Sequence, residues 1–317
     1  MRERDARMAL CCTVEPATID ITRQVQQQGA EAIWQGLVQP SSRSRWARRA
    51  QAFDLADMQA ATDRLRLRFI VPGDDEWPAA LGDLSGCEPV NDMGGAPFGL
   101  WVRGAVPLAE AVERSVAVVG SRACTAYGQS VTTDLAAGLG AHGVTVVSGG
   151  AYGIDAAAHA GALAAEAVTV AVMAGGLDQP YPSGNSGLLQ RVAAAGVLAS
   201  ELPPFEKPTR VRFLGRNRLI AALTPATVLV EAALRSGARN TVSWATSCNR
   251  VVLAVPGPVH SATSATPHRL IREAEAVLCS GVDDVLEVIE PLGRSQASRP
   301  SQQRPLDDLS TEELAVF

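Results

Sequence analysis

No stretch of the chain reaches the roughly 18 consecutive apolar residues of a membrane span. The basic opening, Met1 to Arg7, is followed only by a short apolar patch, Met8 to Val14, which Glu15 ends, so neither a signal peptide nor a membrane segment is read. The six cysteines, Cys11, Cys12, Cys87, Cys124, Cys248 and Cys279, form no CxxC pair and no metal-ligand spacing with the four histidines. Reduced thiols in a cytoplasmic protein without a metal are the expectation. Aromatic residues are scarce at 4%, so a core drawn from 47% hydrophobic residues must consist of Ala, Val, Leu and Ile, the usual filling between helices and a parallel sheet. An excess of positive charge is missing as well. The net charge of −5 argues against coating nucleic acid over the whole surface and confines any phosphate site to a local patch. Nor is there a GxxxxGK[ST] run, and Gly120-Ser-Arg-Ala-Cys-Thr125 is not the G-x-G-x-x-G of a dinucleotide site. A P-loop ATPase and a dinucleotide enzyme are set aside on that ground, and no cofactor is expected.

What is present is an alternation. Apolar, β-rich runs at Val116 to Val119, Val144 to Val147, Val168 to Met173, Val197 to Ala199, Thr227 to Val230 and Val251 to Val255 are mostly separated by Ala-rich helical stretches. This predicts an α/β fold: a doubly wound, mostly parallel sheet with right-handed crossovers. A strand-like run at Gly99 to Arg103 precedes it. Before residue 65 the chain is polar and helix-compatible, with Ile21, Val25, Ile33 and Leu37 at helical spacing, so 1–64 is read as a small helical N-terminal domain and 65–290 as the main domain. Arg43, Arg45, Arg48 and Arg49 around Trp46 form either a phosphate-contacting face or a solvated helix surface. In 291–317 the composition shifts to Ser, Gln, Arg and Pro, as in a linker, and Leu306 to Phe317 reads as the first residues of a truncated further domain.

In an open parallel sheet, ligands bind outside the carboxyl ends of the strands. Those positions hold Gly120-Ser121-Arg122, Ser148-Gly149-Gly150, Gly175-Gly176, Ser200-Glu201, Glu231 and Pro256-Gly257. Glycines there admit close approach of backbone N–H groups to an anion, and helix N-termini just beyond favour phosphate. A second signal is charge. Lys207, Arg210, Arg212, Arg216 and Arg218 fall in one stretch without an acid, with Phe213 among them, the combination of basic groove and stacking ring that a single strand requires. The alternative for Arg216 and Arg218 is an ion pair with Glu201 or Glu231 inside the fold.

These residues also carry a resemblance. Gly120-Ser-Arg122, Tyr127-Gly128, the run Ser148-Gly-Gly-Ala-Tyr-Gly-Ile-Asp-Ala-Ala-Ala-His159, Gly176-Leu-Asp178, Tyr181-Pro182, Asn185, Arg216-Asn-Arg-Leu-Ile220, Val230-Glu-Ala232, Arg235-Ser-Gly237 and Ala254-Val-Pro-Gly257 resemble, in order and spacing, the DNA-processing protein A (DprA/Smf) family, from about Arg68 to Ile289. The chain departs from that pattern at Gly149-Gly150, where Gly-Leu is usual, and at Phe213-Leu-Gly-Arg216, where Phe-Pro-x-Arg is usual.

The resemblance implies an extended Rossmann-like domain, a helical N-terminal domain of the SAM or helix-hairpin-helix kind, and a C-terminal winged helix of which only the start would be present. It implies a homodimer that binds single-stranded DNA, protects incoming DNA and helps load the RecA recombinase during natural transformation, without catalysis. The DNA-binding set it suggests is Ser121, Arg122, Gly149, Gly150, Gly153, Gly175, Gly176, Asn185, Lys207, Arg210, Arg212, Phe213, Arg216, Asn217 and Arg218. Asp155 and His159 are read as shaping the turn and the following helix, with a local hydrogen bond between them open; the helix Asn185 to Ala195 is read as a candidate dimer face. The rival reading is a nucleotide N-glycosidase of the lysine-decarboxylase-like group, whose PGGxGTxxE motif the segment Arg235 to Thr241 lacks.

Overall fold

The computed structural model describes residues 1–234 and 236–290. Five helices come first, Glu3–Thr13, Ile19–Gln28, Ala30–Val38, Ala47–Gln51 and Leu55–Arg64. Nine strands follow: β1 (Arg68–Ile70), β2 (Leu100–Gly104), β3 (Ser115–Val119), β4 (Thr145–Ser148), β5 (Thr169–Met173), β6 (Val197–Ser200), β7 (Ala226–Leu229), β8 (Val251–Ala254) and β9 (Val277–Leu278). They form one sheet in the order β1-β2-β6-β5-β4-β3-β7-β8-β9, antiparallel at β1–β2 and β2–β6 and parallel elsewhere. The fold is therefore the doubly wound, mostly parallel one. The six apolar runs are β3 to β8 within a residue or so of either end. Every residue of β3 to β7 is buried, which is why those strands read as unbroken β-branched runs and not as alternations. β1 and β9, three and two residues long at the sheet edges, have no such run to betray them.

The order reverses at β3: the chain steps outward from β3 through β4 and β5 to β6, then crosses back to place β7 on the other side of β3. A crevice opens where two crossovers leave a parallel sheet in opposite directions, so the carboxyl ends of β3 and β7 are where a ligand belongs.

The N-terminal helices share a core with the sheet. Leu10, Trp34 and Leu37 belong to the same apolar cluster as Phe69, Trp101 and Leu198. Trp101 is fully buried, and its indole N–H donates to Thr62 Oγ1 at 3.1 Å. The structure joins Cys87 and Cys248, 161 residues apart with Cα atoms 5.1 Å from each other, as a disulfide; Cys11, Cys12, Cys124 and Cys279 stay free. This corrects the expectation of six thiols. The pairing comes from the tertiary fold, which local spacing does not encode. Among the described residues no helix is long and apolar enough to cross a membrane and no group of His, Cys, Asp or Glu is placed to hold a metal ion. The linker and further-domain expectation for 291–317 lies outside the described residues.

Candidate nucleic-acid interface

At the reversal point lies a cleft of about 1070 Å³. Six of the residues expected from sequence line it, namely Ser121, Arg122, Arg210, Phe213, Arg216 and Asn217. Ser121 and Arg122 follow β3 directly. The other four stand on helix Arg210–Ala222, whose start is fixed by Thr209: its hydroxyl accepts from the Arg212 amide at 3.3 Å. The wall opposite comes from helix Ala238–Ser247, which adds Arg239. The charged lining is thus Arg122, Arg210, Arg216 and Arg239 against one carboxylate, Asp155, in a protein of net charge −5. This is the local positive patch that the composition demanded.

Phe213 organises it. The Arg122 guanidinium lies over the ring at 4.5 Å from its centroid, and that of Arg216 lies at 5.9 Å. The half-exposed Tyr181 is tilted against the same ring, ring centroids 6.0 Å apart. Arg122 is exposed and has no carboxylate partner among the described residues.

Arg216 is different. It is only 6% exposed; its Nη1 donates to the carbonyls of Gly149 (2.8 Å) and Val172, while its Nε is buried without a partner. A Cβ at Gly149 would collide with the guanidinium, so the glycine is required by the close approach of a cation beneath the turn. Burial drives the Arg216 pKa down to about 10; Asp155 opposes that and Arg122 adds to it. A desolvated cation on the cleft floor, partly neutralised from below, leaves a positive field that an incoming anion can complete.

The structure removes several expected residues from direct contact. Arg218 is fully buried, and its Nη1 and Nη2 both donate to Glu201 at 2.7 Å, while its Nε donates to Gly95 O at 2.9 Å. The ion-pair alternative holds for this residue. Arg212 is likewise turned inward: Nε and Nη2 donate to Glu15 at 3.0 and 2.9 Å, and Nη1 to Glu206. These hydrogen bonds from Arg212 hold the Glu15 carboxyl below its ordinary range. Glu15 comes from the loop between the first two helices, so the sequence stretch without acids is supplied with one from 197 positions away. Arg49 joins that network, donating to Cys12 O at 3.2 Å and lying against Glu15 and Glu206.

The glycine turns also face inward. The Gly149 amide donates to Asp155 Oδ2 at 3.2 Å, and the Gly176 amide to Glu206 O at 2.8 Å. Gly175 O accepts from Ser200 Oγ at 2.8 Å. Gly153, at φ +75°, lets its backbone lie against the Ser121 and Arg122 carbonyls where a Cβ would clash. Gly150, at φ +67°, makes the turn itself, and Asn185 braces it by donating from Nδ2 to the Gly150 and Ala151 carbonyls at 3.0 and 3.1 Å. None of these lines the cleft; they shape its floor. Lys207 is exposed on the segment leading to it.

Three further acidic and basic groups are engaged by the fold. Glu231, just past β7, accepts from the Thr125 amide (2.9 Å) and hydroxyl (2.6 Å) and from Thr263 Oγ1 (3.0 Å), at the start of helix Ala126–Ala141. Asp155 and His159 do not bond to each other. Burial raises the Asp155 carboxyl above its ordinary range, against the pull of Arg216 and of the Ala151 and Gly149 amides. The Thr169 hydroxyl donates to Val146 O at 2.7 Å and so accepts from His159 Nδ1–H at 2.8 Å, leaving Nε2 buried and unpartnered. Burial, with Arg216 adding to it, pushes the His159 pKa down to about 3.

This has a consequence for acid stability. The unfolded chain protonates His159 near its ordinary 6.5 while the folded chain resists until about 3, so stability is full above pH 6.5 and falls as pH drops below it. Between pH 6.5 and 5, before ordinary carboxylates titrate, the loss should reach about 2 kcal/mol in urea unfolding. Asp155, with a raised carboxyl pKa, has the opposite sign and flattens the slope. His159→Gln should abolish the loss; an unchanged slope in that variant would assign it elsewhere.

Sequence reading missed Arg239 and Tyr181. Arg239 lies in the region after β7, where the strand-end rule applies but was carried no further than Glu231. Tyr181 stands in the sequence only as part of the Tyr181-Pro182 pair of the resemblance, and its place beside Phe213 is a tertiary one.

Comparison with known proteins bears on the family and on the fold. Residues 68–290 match the family model of DNA recombination-mediator protein A. A putative DNA processing protein DprA from Mycobacterium tuberculosis is 49% identical over 269 residues, covering 82% of this chain and 69% of its own. The DNA processing protein DprA of Streptococcus pneumoniae is 36% identical over 206 residues, 64% of this chain and 72% of its own. The X-ray structure of the Streptococcus pneumoniae protein superposes with a TM-score of 0.75 at 29% identity, covering 92% of this chain and 99% of that one. That of the Helicobacter pylori DNA processing protein A, described for its single-stranded DNA binding mode, gives 0.59 at 24% identity over 70% of this chain and 96% of that one, a likeness of fold. On the family match and the Mycobacterium tuberculosis relative together, the chain belongs to the DNA recombination-mediator protein A family.

Proposed function

We propose that the protein binds single-stranded DNA along the cleft between the ends of β3 and β7, as a non-catalytic recombination mediator of the cytoplasm. The observation that carries this is the stack of Arg122 and Arg216 on Phe213 in a lining of four arginines and one carboxylate. Arginines neutralise the backbone and an accessible ring stacks bases, each stacked base adding about 1–3 kcal/mol irrespective of sequence. Membership of the family supports the wider role: protecting incoming DNA and helping RecA assemble on it during natural transformation.

A homodimer is part of the proposal. Its face is not the helix Ser186–Ala195, whose Leu189 and Val192 are buried in the protein's own core. The opposite sheet edge has exposed apolar residues, Val277, Leu278 and Val251, and is the better candidate. The N-glycosidase reading gains nothing from the site: no glutamate is among the residues that line the cleft, and Glu231, just past β7, is engaged by Thr125 and Thr263.

The test is titration with single-stranded and double-stranded oligonucleotides of one sequence, with light scattering on the same samples. Preference for the single strand by a species of twice 33.1 kDa is expected. Pre-bound strand should then shorten the lag of RecA filament assembly. Equal affinity for the duplex, or no binding, would remove the proposal.

A further inference from the structure

The N-terminal helices carry a second patch of uncompensated positive charge. No acidic residue stands between Glu31 and Asp54, and Arg43, Arg45, Arg48 and Arg49 fall in that interval. Sequence leaves open whether they face phosphate or only solvent, and the fold tells them apart. Arg49, on helix Ala47–Gln51, is held against Glu15 and Glu206. Arg43, Arg45 and Arg48 are exposed and lie against no carboxylate among the described residues. Arg2, Arg4 and Arg7 of the first helix and its start each meet one. The Arg45 guanidinium lies over the Trp46 ring, 4.5 Å from its centroid, and that ring is packed against the N-terminal core. A cation on an aromatic face is the arrangement of Arg122 and Phe213 in the cleft, repeated here.

The patch is joined to the cleft through two carboxylates. Arg49 and Arg212 share both Glu15 and Glu206, so the short helix is fixed beside the segment that leads into helix Arg210–Ala222. Each acid of this junction is already neutralised by arginines of the fold. The exposed cations that flank it in the chain are Lys207 and Arg210 toward the cleft and Arg48 and Arg45 toward the helices. Like charges left uncompensated along one face repel one another until a polyanion lies across them. An acidic protein surface would answer the charge alone. A guanidinium plane held on a ring also takes a base, and the continuity with the cleft selects the strand. We propose that Arg43, Arg45 and Arg48, with Trp46, form a second phosphate-binding surface that carries the single strand onward from the cleft across the N-terminal helices. This rests on the single-strand reading above and adds where the strand runs on leaving the cleft.

The test measures binding of two oligo-dT strands, about 6 and about 16 nucleotides long, the first short enough to stay within the cleft and the second long enough to run on. The shorter is read as a competitor of the longer. Arg43→Gln/Arg45→Gln/Arg48→Gln removes the three charges, and Arg43→Gln/Arg48→Gln, which keeps Arg45 on Trp46, replaces it should the triple variant melt early. The triple variant should bind the longer strand about tenfold more weakly at low salt, with the slope of log K against log salt flatter by about 2, roughly 0.7 for each phosphate lost. For the double variant the slope should change by about 1.4. Binding of the shorter strand should stay at the wild-type level in both, whereas Arg122→Ala should weaken both lengths. An equal loss on the two lengths, or no loss on either, as an acidic protein partner would give, overturns the second surface while the single-strand reading stands. Failure of wild type to bind either strand overturns both.

Discussion

Arg122→Ala should weaken single-strand binding by about tenfold or more at low salt, the weight of a charge-assisted contact, and leave the fold untouched. The side chain is exposed, lies over Phe213 and has no ion-pair partner among the described residues, so its removal uncovers nothing the core needs. The salt dependence supplies a second readout. Each phosphate neutralised on a single strand contributes roughly 0.7 to the slope of log K against log salt, and the variant should lose about one such contribution. Titrations at several salt concentrations, with melting temperatures on the same samples, measure both. An unchanged slope would take Arg122 off the DNA path.

Arg218→Ala should do the reverse. Sequence gives Arg216 and Arg218 the same role, two cations on one basic stretch, but the fold separates them. Arg218 is wholly enclosed with Glu201, its Nη1 and Nη2 each donating to a carboxylate oxygen at 2.7 Å. Removing one partner strands the other charge in the interior and should cost about 3–5 kcal/mol in urea unfolding. Replacing both at once, Arg218→Met with Glu201→Leu, should recover most of that, because no charge is left unpaired. Folded Arg218→Ala protein should bind DNA near normally; a variant with full stability and impaired binding would restore Arg218 to the contact surface.

The contrast shows how far the residues could be read in advance. Buried strands β3 to β8 announced themselves as unbroken apolar runs, and with them the strand ends that frame the cleft. Arg122 was legible as a lining residue by its place after a strand, and Phe213 by its charged neighbours. Arg212 was not: the stretch around it contains no acid, yet Glu15 reaches it from the loop between the first two helices. The glycine turns were recognised as special but assigned to phosphate, whereas their amides serve Asp155 and Glu206. Which way a backbone amide points is decided by the tertiary partner, and local sequence carries little of that information. Arg239 and Asn240 entered the site through the packing of helix Ala238–Ser247 against helix Arg210–Ala222, and Cys87 met Cys248 across 161 residues.

Glu231 gives the crevice its character. In doubly wound folds that hold nucleotides, the first turn of this kind receives a pyrophosphate on the exposed N-terminus of the helix that follows. Here a carboxylate of the protein itself lies on that helix end, bonded to the Thr125 amide and hydroxyl, with Gly128 leaving room for it. The molecule carries a built-in substitute for the anion its architecture would otherwise recruit. A free nucleotide would find that berth taken, and under the proposed function a strand is gripped by the arginines and the ring of the neighbouring cleft. The proposed strand would then run beside an anion site that the protein has already filled with its own carboxylate.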